Sequence, residues 1–229
     1  MVFRNSPQRR PATEILSPLQ CDLLTRFASH PLFGDFYLTG GTALSVFYLE
    51  HRYSEDLDFF TEVPQGVTRI IPIVQQTAQQ MNLKITFGHR FETLFECTLM
   101  SPQNEMVELD FALDMPGRLL PVQSGKALGM NLDNSLDIAC NKLSALYERS
   151  EPKDFVDLFF ITQKLFPLEE LLKNARSKYS YLDDYGLAMA FFKIKGIEKL
   201  PRMIKTLQLE ELKRYFLEKA SQLSDLFDS

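Results

Sequence analysis

Residues 38–60 read LTGGTALSVFYLEHRYSEDLDFF, and this stretch decides the fold. The bulky apolar residues at its start, and just before it, predict a short strand. Gly40 and Gly41 end that strand, because paired glycines interrupt regular structure. The apolar face of residues 42–49 predicts a helix directly after the glycines. The stretch therefore predicts a strand, a glycine turn and a helix in close succession.

The end of the same stretch alternates acidic and apolar residues, as Asp56-Leu57-Asp58-Phe59-Phe60. Successive side chains of a strand point to opposite faces, so Asp56 and Asp58 share one face. Two adjacent carboxylates repel each other unless a cation lies between them, and Mg²⁺ takes oxygen ligands that it shares with substrate phosphates. A solvated strand edge is the alternative, and the flanking phenylalanines argue against it. We therefore predict that Asp56 and Asp58 are catalytic metal ligands.

The glycine turn is the second half of the predicted site. Without side chains, Gly40 and Gly41 let the backbone approach a phosphate, and the N–H groups of the helix start point toward it. Thr42 is the third residue that we expect to hold phosphates there. A phosphate cradle beside metal-binding carboxylates indicates nucleotidyl or phosphoryl transfer.

Together, the two glycines, a spacer and Asp-x-Asp resemble the signature of the polymerase-β-like nucleotidyltransferase superfamily. The fuller strings Thr39-Gly-Gly-Thr-Ala-Leu and His51-Arg52-x-Ser54-x-Asp-Leu-Asp-Phe-Phe are similar to one branch, the AbiEii-type nucleotidyltransferase toxins of abortive-infection and toxin–antitoxin systems. The resemblance implies an α/β fold: a small mixed sheet with flanking helices, followed by an all-α half. It also implies transfer of a nucleotide from a nucleoside triphosphate to an acceptor, with two Mg²⁺ ions.

Residues 107–111 carry a further acidic pair, Glu108 and Asp110, on one face of another predicted strand. The resemblance implies a third metal carboxylate on a strand next to the Asp-x-Asp strand. Asp110 is the better candidate for a catalytic metal ligand, because apolar residues flank it on both sides. The alternative is a surface acid opposite a basic side chain.

The helical half contributes charged residues within 141–158, which read NKLSALYERSEPKDFVDL and are again similar to the AbiEii-type branch. That branch has a helical lysine and a later aspartate in its active site, which implies Lys142 and Asp154 here, with Asp157 as the alternative to Asp154. Lys142 and Arg149 lie two helical turns apart and project from a similar face, where they could receive a triphosphate. An ordinary charged helix face with an ion pair is the alternative.

Arg52 and Ser54 immediately precede the carboxylates, and we expect both to bind substrate. The Arg52 guanidinium could contact a phosphate with two hydrogen bonds, or it could brace the acidic cluster. His51 receives no role, because nucleotidyl transfer does not require a histidine base.

Turn and capping signals place the remaining elements, beginning with Ser17-Pro18 as a helix start. Predicted helices cover 67–81 with Pro72 in the first turn, 134–148, a segment opening at Glu151-Pro152, 167–178, 183–194 and 207–227. Predicted strands cover 84–91, 93–100, 105–113 and 126–130. The change from mixed to helical patterning predicts a nucleotidyltransferase-like α/β domain over 1–130 and a helical domain over 131–229.

The composition is that of an ordinary globular protein of 229 residues, with 45% hydrophobic and 24% charged residues. The 19 phenylalanines and the absence of tryptophan predict a phenylalanine-rich core. A net charge of −5 argues against binding nucleic acid through bulk charge, but it does not exclude a local basic patch. The three cysteines have neither metal-ligand nor disulfide spacing, and no signal or membrane-spanning segment is evident, so we expect a cytoplasmic protein.

Three functions are compatible with these residues. The resemblance implies a toxin that adds nucleotides to RNA, with the acceptor end of tRNA as first candidate, and that is neutralised by a separately encoded antitoxin. A regulatory nucleotide-binding module without catalysis is a second reading, which the intact Asp-x-Asp disfavours. Transfer to a small molecule or a protein is the third.

If RNA is the acceptor, we expect a local basic strip beside the cleft between the two halves. The candidates near the cleft are Arg52, Lys126, Arg149 and Lys153, and a denser basic run lies further on, between residues 193 and 205. A solvated helix end is the alternative for that run.

Overall fold

The computed structural model describes residues 10–224. Its strands are β1 (Tyr37–Thr39), β2 (Asp56–Thr61), β3 (Lys84–Arg90), β4 (Leu94–Met100), β5 (Met106–Leu113), β6 (Gln123–Ala127) and β7 (Met130–Leu132). Its helices are α1 (Pro18–Ala28), α2 (Gly40–Leu44, continued by a π-helix over Ser45–Leu49), α3 (Gly66–Gln80), α4 (Ser135–Glu148), α5 (Pro152–Lys164), α6 (Leu168–Lys178), α7 (Asp184–Phe192) and α8 (Leu209–Ser224).

The strands form one mixed sheet in the order β3-β4-β5-β2-β1-β7-β6. β2 is parallel to β5 and β1 is parallel to β7, whereas the other neighbouring pairs are antiparallel. Helices make up most of the described chain after β7. The predicted α/β class, with a mixed sheet and then a helical half, is confirmed.

The phenylalanine-rich core lies on one face of the sheet. Leu57 and Phe59 of β2 are fully buried there, and the ring of Phe59 stacks on that of Phe111 with centroids 5.0 Å apart. Helices α1 and α3 pack against this face. The opposite face of β2 and β5 is therefore left to the acidic residues, as the alternation predicted.

Three boundaries differ from the predictions. The helix predicted over 42–49 begins two residues earlier, at the glycines, and its second half is a π-helix. Pro72 lies in the second turn of α3 and not in the first. In place of a single strand over 126–130, β6 and β7 form a hairpin, because Leu128 and Gly129 both adopt positive φ angles and reverse the chain. Residues 225–227 of the last predicted helix lie outside the described residues.

The helical half joins the sheet through β7 and α4. Leu132 of β7 pairs with Leu38 of β1, so the sheet extends just past residue 130. Asn134 caps α4 through its side chain, which accepts a hydrogen bond from the backbone N–H of Asp137. Helix α4 packs against α2, α5, α6 and α7. The division into two domains near residue 131 stays a prediction. No helix among residues 10–224 has the length and apolar character needed to cross a bilayer.

Truncation of Phe111 tests the packing of the sheet face. Phe111→Ala should lower the free energy of unfolding by about 3–5 kcal/mol, because the fully buried ring leaves a cavity. Phe91→Ala is the matched control, since 59% of Phe91 is exposed, and it should change the stability by no more than about 0.5 kcal/mol. Urea unfolding measures both. Equal stability of the two variants would contradict the core assignment.

Candidate active site

The predicted metal carboxylates come together on neighbouring strands. Because β2 and β5 are parallel and in register, Asp58 lies beside Asp110 and Asp56 beside Glu108. Asp56, Asp58 and Asp110 line one cavity on the face of the sheet opposite the phenylalanine core. Glu108 does not line this cavity, although it lines a neighbouring one together with Asp110.

The carboxylates of Asp58 and Asp110 repel each other. Burial and the neighbouring charge of Asp58 raise the pKa of Asp110 to about 7. Burial raises the pKa of Asp58 as well; Asp56 adds to this effect and Lys142 opposes it. Among residues 10–224, neither Asp58 nor Asp110 forms an ion pair with a lysine or arginine. The described residues therefore leave this pair of carboxyl groups without a cationic side chain in direct contact.

The two glycines allow the backbone to approach Asp58 closely. Gly40 has a φ of +66°, and a Cβ atom there would lie only 1.9 Å from Oδ2 of Asp58. A Cβ atom on Gly41 would lie 2.5 Å from Nη2 of Arg52. The backbone of Gly41 hydrogen-bonds to the Asp58 carboxyl group, an interaction that lowers the pKa of Asp58 against the larger effect of burial. Only glycine fits at Gly40 without displacing the carboxylate.

Asp157 is the centre of a buried ionic cluster behind the cavity. Its Oδ1 lies 2.7 Å from Nε2 of His51 and accepts a hydrogen bond from Nε of Arg52 at 2.6 Å. Its Oδ2 accepts from Nη2 of Arg52 at 2.8 Å and lies 2.7 Å from Nζ of Lys142. Burial alone would raise the pKa of Asp157, but Lys142 and Arg52 hold it well below its usual range. Burial lowers the pKa of His51, which favours its neutral form.

A second salt bridge, between Arg149 and Asp154, lies at the C-terminal end of α4. Arg149 donates two hydrogen bonds to Asp154, from Nε at 2.8 Å and from Nη2 at 2.9 Å. Asp154 is fully buried, whereas 46% of the Arg149 side chain is exposed. Nearby, Nζ of Lys153 lies 3.6 Å from Oδ2 of Asp56. The arginine and the lysine thus place positive charge at the Asp56 end of the cavity.

Most of the predicted site residues line the same cavity. They are Gly40, Gly41, Arg52, Ser54, Asp56, Asp58, Asp110, Lys142 and Arg149. Thr42 does not, contrary to the expectation that it holds phosphates: it is buried and its hydroxyl donates to the backbone carbonyl of Asp56. Asp154 and Asp157 lie behind the lining, where they hold its cations.

Some residues that line the cavity were not predicted from the sequence. They are Thr39, Phe60, Ile138, Asn141 and Ala145. The alternation along β2 could have predicted Phe60, because Phe60 shares a strand face with Asp58. Helical spacing could have predicted Ile138 and Ala145, which lie four residues before and three residues after Lys142. His51 was given no role, yet it helps to hold Asp157. No local pattern pairs two residues that are 106 positions apart.

A metal site can be assessed from the donors themselves. No group of three carboxylate, imidazole or thiolate side chains within 10–224 already converges as a complete metal site. Mg²⁺ does not require one, because it is commonly held by one or two carboxylates together with waters and substrate phosphates. Asp58 and Asp110 are oxygen donors in register on adjacent strands, and like charge disfavours their ionisation. This donor set fits a hard divalent cation.

A variant at Lys142 tests whether the buried ionic cluster around Asp157 contributes to stability. The ion pair that we considered as an alternative for Lys142 is present, but it is buried and not on the surface. Lys142→Ala should therefore lower the free energy of unfolding by about 1–3 kcal/mol, since Asp157 loses a charged partner in the interior. The exposed Lys173 on α6 provides the control variant Lys173→Ala, which should have little effect. Chemical denaturation compares the two, and equal stabilities would show that the Lys142–Asp157 pair contributes nothing.

Comparison with known proteins places the chain in a family. The family model described as "Nucleotidyl transferase AbiEii toxin, Type IV TA system" matches residues 22–224. An uncharacterized protein of Aquifex aeolicus (strain VF5) is 32% identical over 165 residues, which cover 72% of this chain and 76% of the relative.

Two solved structures share the fold. JHP933 from Helicobacter pylori superposes with a TM-score of 0.57 at 20% identity, over 93% of this chain and 95% of its own. MenT4, a nucleotidyltransferase toxin from Mycobacterium tuberculosis H37Rv, superposes with a TM-score of 0.59 at 12% identity, over 90% and 82%. At these identities the two structures support the fold alone, whereas the family model spans most of the chain. The protein belongs to the AbiEii nucleotidyltransferase toxin family.

Proposed function

We propose that this protein transfers a nucleotide from a nucleoside triphosphate to an acceptor in the cavity between the sheet and α4. The observation that carries the proposal is the register of β2 and β5, which brings Asp58 and Asp110 together beside the Gly40-Gly41 turn. Carboxylates that repel each other in a cavity are typical of functional sites, because no structural need keeps them together. Family membership supports the reaction class.

The charged residues of the cavity suit a triphosphate. Lys142, Arg149 and Lys153 line the cavity with Asp56. Their cationic groups would bind the phosphate oxygens and oppose the charge that develops on the leaving pyrophosphate. The glycine turn lines the same cavity, and the side chains of Asp58 and Arg52 pack directly against its two glycines, so the turn sets a carboxylate and a guanidinium beside the proposed phosphates.

Asp56, Asp58 and Asp110 are the residues that we propose to hold magnesium, as two ions. When bound, the metal would supply Lewis-acid stabilisation of the phosphoryl oxygens and lower the pKa of the attacking hydroxyl. Asp157 would act indirectly in this arrangement, by fixing Lys142 and Arg52 at the wall of the cavity. Asp154 would do the same for Arg149.

RNA, with tRNA as the first candidate, is the acceptor that we propose, and a separately encoded antitoxin would restrain the enzyme, as the family description suggests. A basic strip supports an RNA acceptor despite the net charge of −5. The strip consists of exposed residues Lys193, Lys195, Lys199, Arg202 and Lys205. Arg202 lies near the cavity, because its guanidinium is 4.0 Å from the ring centroid of Tyr53, whose neighbour Ser54 lines the cavity.

Asp58→Asn tests catalysis. The variant should lose transfer by at least about 100-fold, because the amide keeps the shape of the side chain but not the charge that would hold magnesium. Its stability without metal should be unchanged or higher, since burial and Asp56 disfavour the Asp58 carboxylate. The measurement incubates the protein with each labelled nucleoside triphosphate, magnesium and bulk RNA.

Glu108→Gln is the matched control for Asp58→Asn. Glu108 is an exposed acid on the same sheet face and lies outside the cavity, so this variant should retain activity. Near-normal transfer by Asp58→Asn would overturn the site assignment. Nucleotide binding without any transfer by the wild type would instead favour the regulatory module.

The basic strip makes a separate prediction about RNA. Lys195→Ala, Lys199→Ala and Arg202→Ala, combined in one variant, should make the salt dependence of RNA binding shallower by about two units in log K against log salt, because each phosphate contact releases counterions. Nucleotide affinity should not change. The triple variant Arg69→Ala, Lys84→Ala and Arg90→Ala removes equal charge from exposed positions on α3 and the edge strand β3 and should leave the slope unaltered. An unchanged slope in the first variant would exclude the strip from the RNA path.

A further inference from the structure

The cavity has a charged end and an apolar end. On β2, Asp56, Asp58 and Phe60 point to the same face at intervals of roughly 6–7 Å. Arg149 and Lys153 lie at the Asp56 end, where Lys153 contacts Asp56. The other end is lined by the ring of Phe60 and by Ile138 of α4.

Helix α4 runs along the cavity from the apolar end to the charged end. It begins near the Phe60 end of β2: Nζ of Lys178 lies 2.8 Å from Oδ1 of Asp137, in the first turn of α4, and 3.9 Å from Oδ1 of Asp114, whose backbone N–H donates to the carbonyl of Thr61, the residue after Phe60. Ile138 therefore lies near the Phe60 end, whereas Arg149 follows the last turn. A bound nucleoside triphosphate would place its phosphates toward the cations and its base toward the apolar end.

Asn141 is the polar side chain of α4 that lies between Ile138 and Lys142 in this wall. Its Oδ1 accepts a hydrogen bond from the hydroxyl of Tyr179 at 2.7 Å. Its Nδ2 is buried and has no hydrogen-bond partner within residues 10–224. A buried donor without an acceptor is unfavourable, so this amide is poised for an acceptor that a ligand brings. Because Tyr179 engages the oxygen, the amide offers the ligand its NH₂ group.

We propose that Asn141 reads the nucleobase of the bound nucleoside triphosphate, with Nδ2 donating to an acceptor atom on the edge of the base. Tyr179 is then a positioning residue, which fixes the orientation of the amide without touching the nucleotide. Phe60 and Ile138 provide the apolar surfaces beside the base. The inference rests on the proposed nucleotidyl transfer and names the group that distinguishes one base from another.

The experiment measures equilibrium binding in the presence of magnesium, without an acceptor. The probes are the four nucleoside triphosphates, ribose 5-triphosphate, which lacks a base, and inorganic triphosphate. Asn141→Ala should weaken binding of the preferred nucleoside triphosphate by about tenfold, in keeping with one lost hydrogen bond, and should narrow the differences among the four bases. Its affinity for ribose 5-triphosphate and inorganic triphosphate should equal that of the wild type.

Two further variants complete the test. Tyr179→Phe keeps the ring and removes the hydroxyl that holds Asn141, so it should weaken binding of the same nucleoside triphosphate and narrow the base preference to a smaller degree. Asn174→Ala is the control, because the Nδ2 of Asn174 donates to the Glu170 carbonyl of its own helix. This control should leave all affinities unchanged.

The outcomes separate the inference from the function on which it rests. Equal weakening of inorganic triphosphate by Asn141→Ala would assign the residue to the phosphates and overturn base reading. If Asn141→Ala weakens the nucleoside triphosphate and ribose 5-triphosphate equally but leaves inorganic triphosphate unaffected, the residue contacts the sugar, and base reading is again overturned. Unchanged binding of every probe would also overturn base reading. If the wild type binds none of the probes, the proposed function fails, and the inference fails with it.

Discussion

The buried carboxylate of Asp157 is the group on which the arrangement of the candidate site depends. It belongs to α5, yet it contacts His51 and Arg52 from the segment before β2 and Lys142 from α4. Ions that leave water on burial gain little net stability from pairing, but removing one partner exposes the others to the full cost of an uncompensated charge. The cluster therefore specifies position: it holds the helical half at one distance from the sheet and sets Lys142 at the cavity wall.

Steric limits at the glycine turn act on the other side of the cavity. The carboxyl group of Asp58 occupies the space that a Cβ atom on Gly40 would require, and Gly40 has a left-handed backbone conformation. The chain thus reverses from β1 into α2 in direct contact with the acid that follows on β2. The same geometry packs the side chains of Asp58 and Arg52 against the two glycines, so the turn fixes the position of a carboxylate and a guanidinium that line the cavity.

Repulsion between carboxylates on the acidic face of the sheet is unfavourable, and apolar packing on the opposite face offsets it. Register between β2 and β5 brings Asp58 and Asp110 side by side, and the pKa of Asp110 rises to about 7. On the opposite face, the same two strands place Phe59 and Phe111 in stacked contact within the core. Burial of apolar surface on that face stabilises the strands against the repulsion on the other. A site that departs from favourable electrostatics within a well-packed scaffold is typical of function.

Local chemistry in the sequence determined the elements and the direction in which their side chains point. Alternation along β2 and β5 predicted the acidic and apolar faces, and capping residues such as Asn134 predicted where helices begin, because these signals act over a few neighbouring residues. Only the tertiary structure decided which groups remain available to a ligand. It engaged the Thr42 hydroxyl with a backbone carbonyl and left the amide nitrogen of Asn141 without a hydrogen-bond partner among residues 10–224. Hydrogen bonds and ion pairs between residues about 100 positions apart depend on the path of the whole chain, and no local pattern encodes that path.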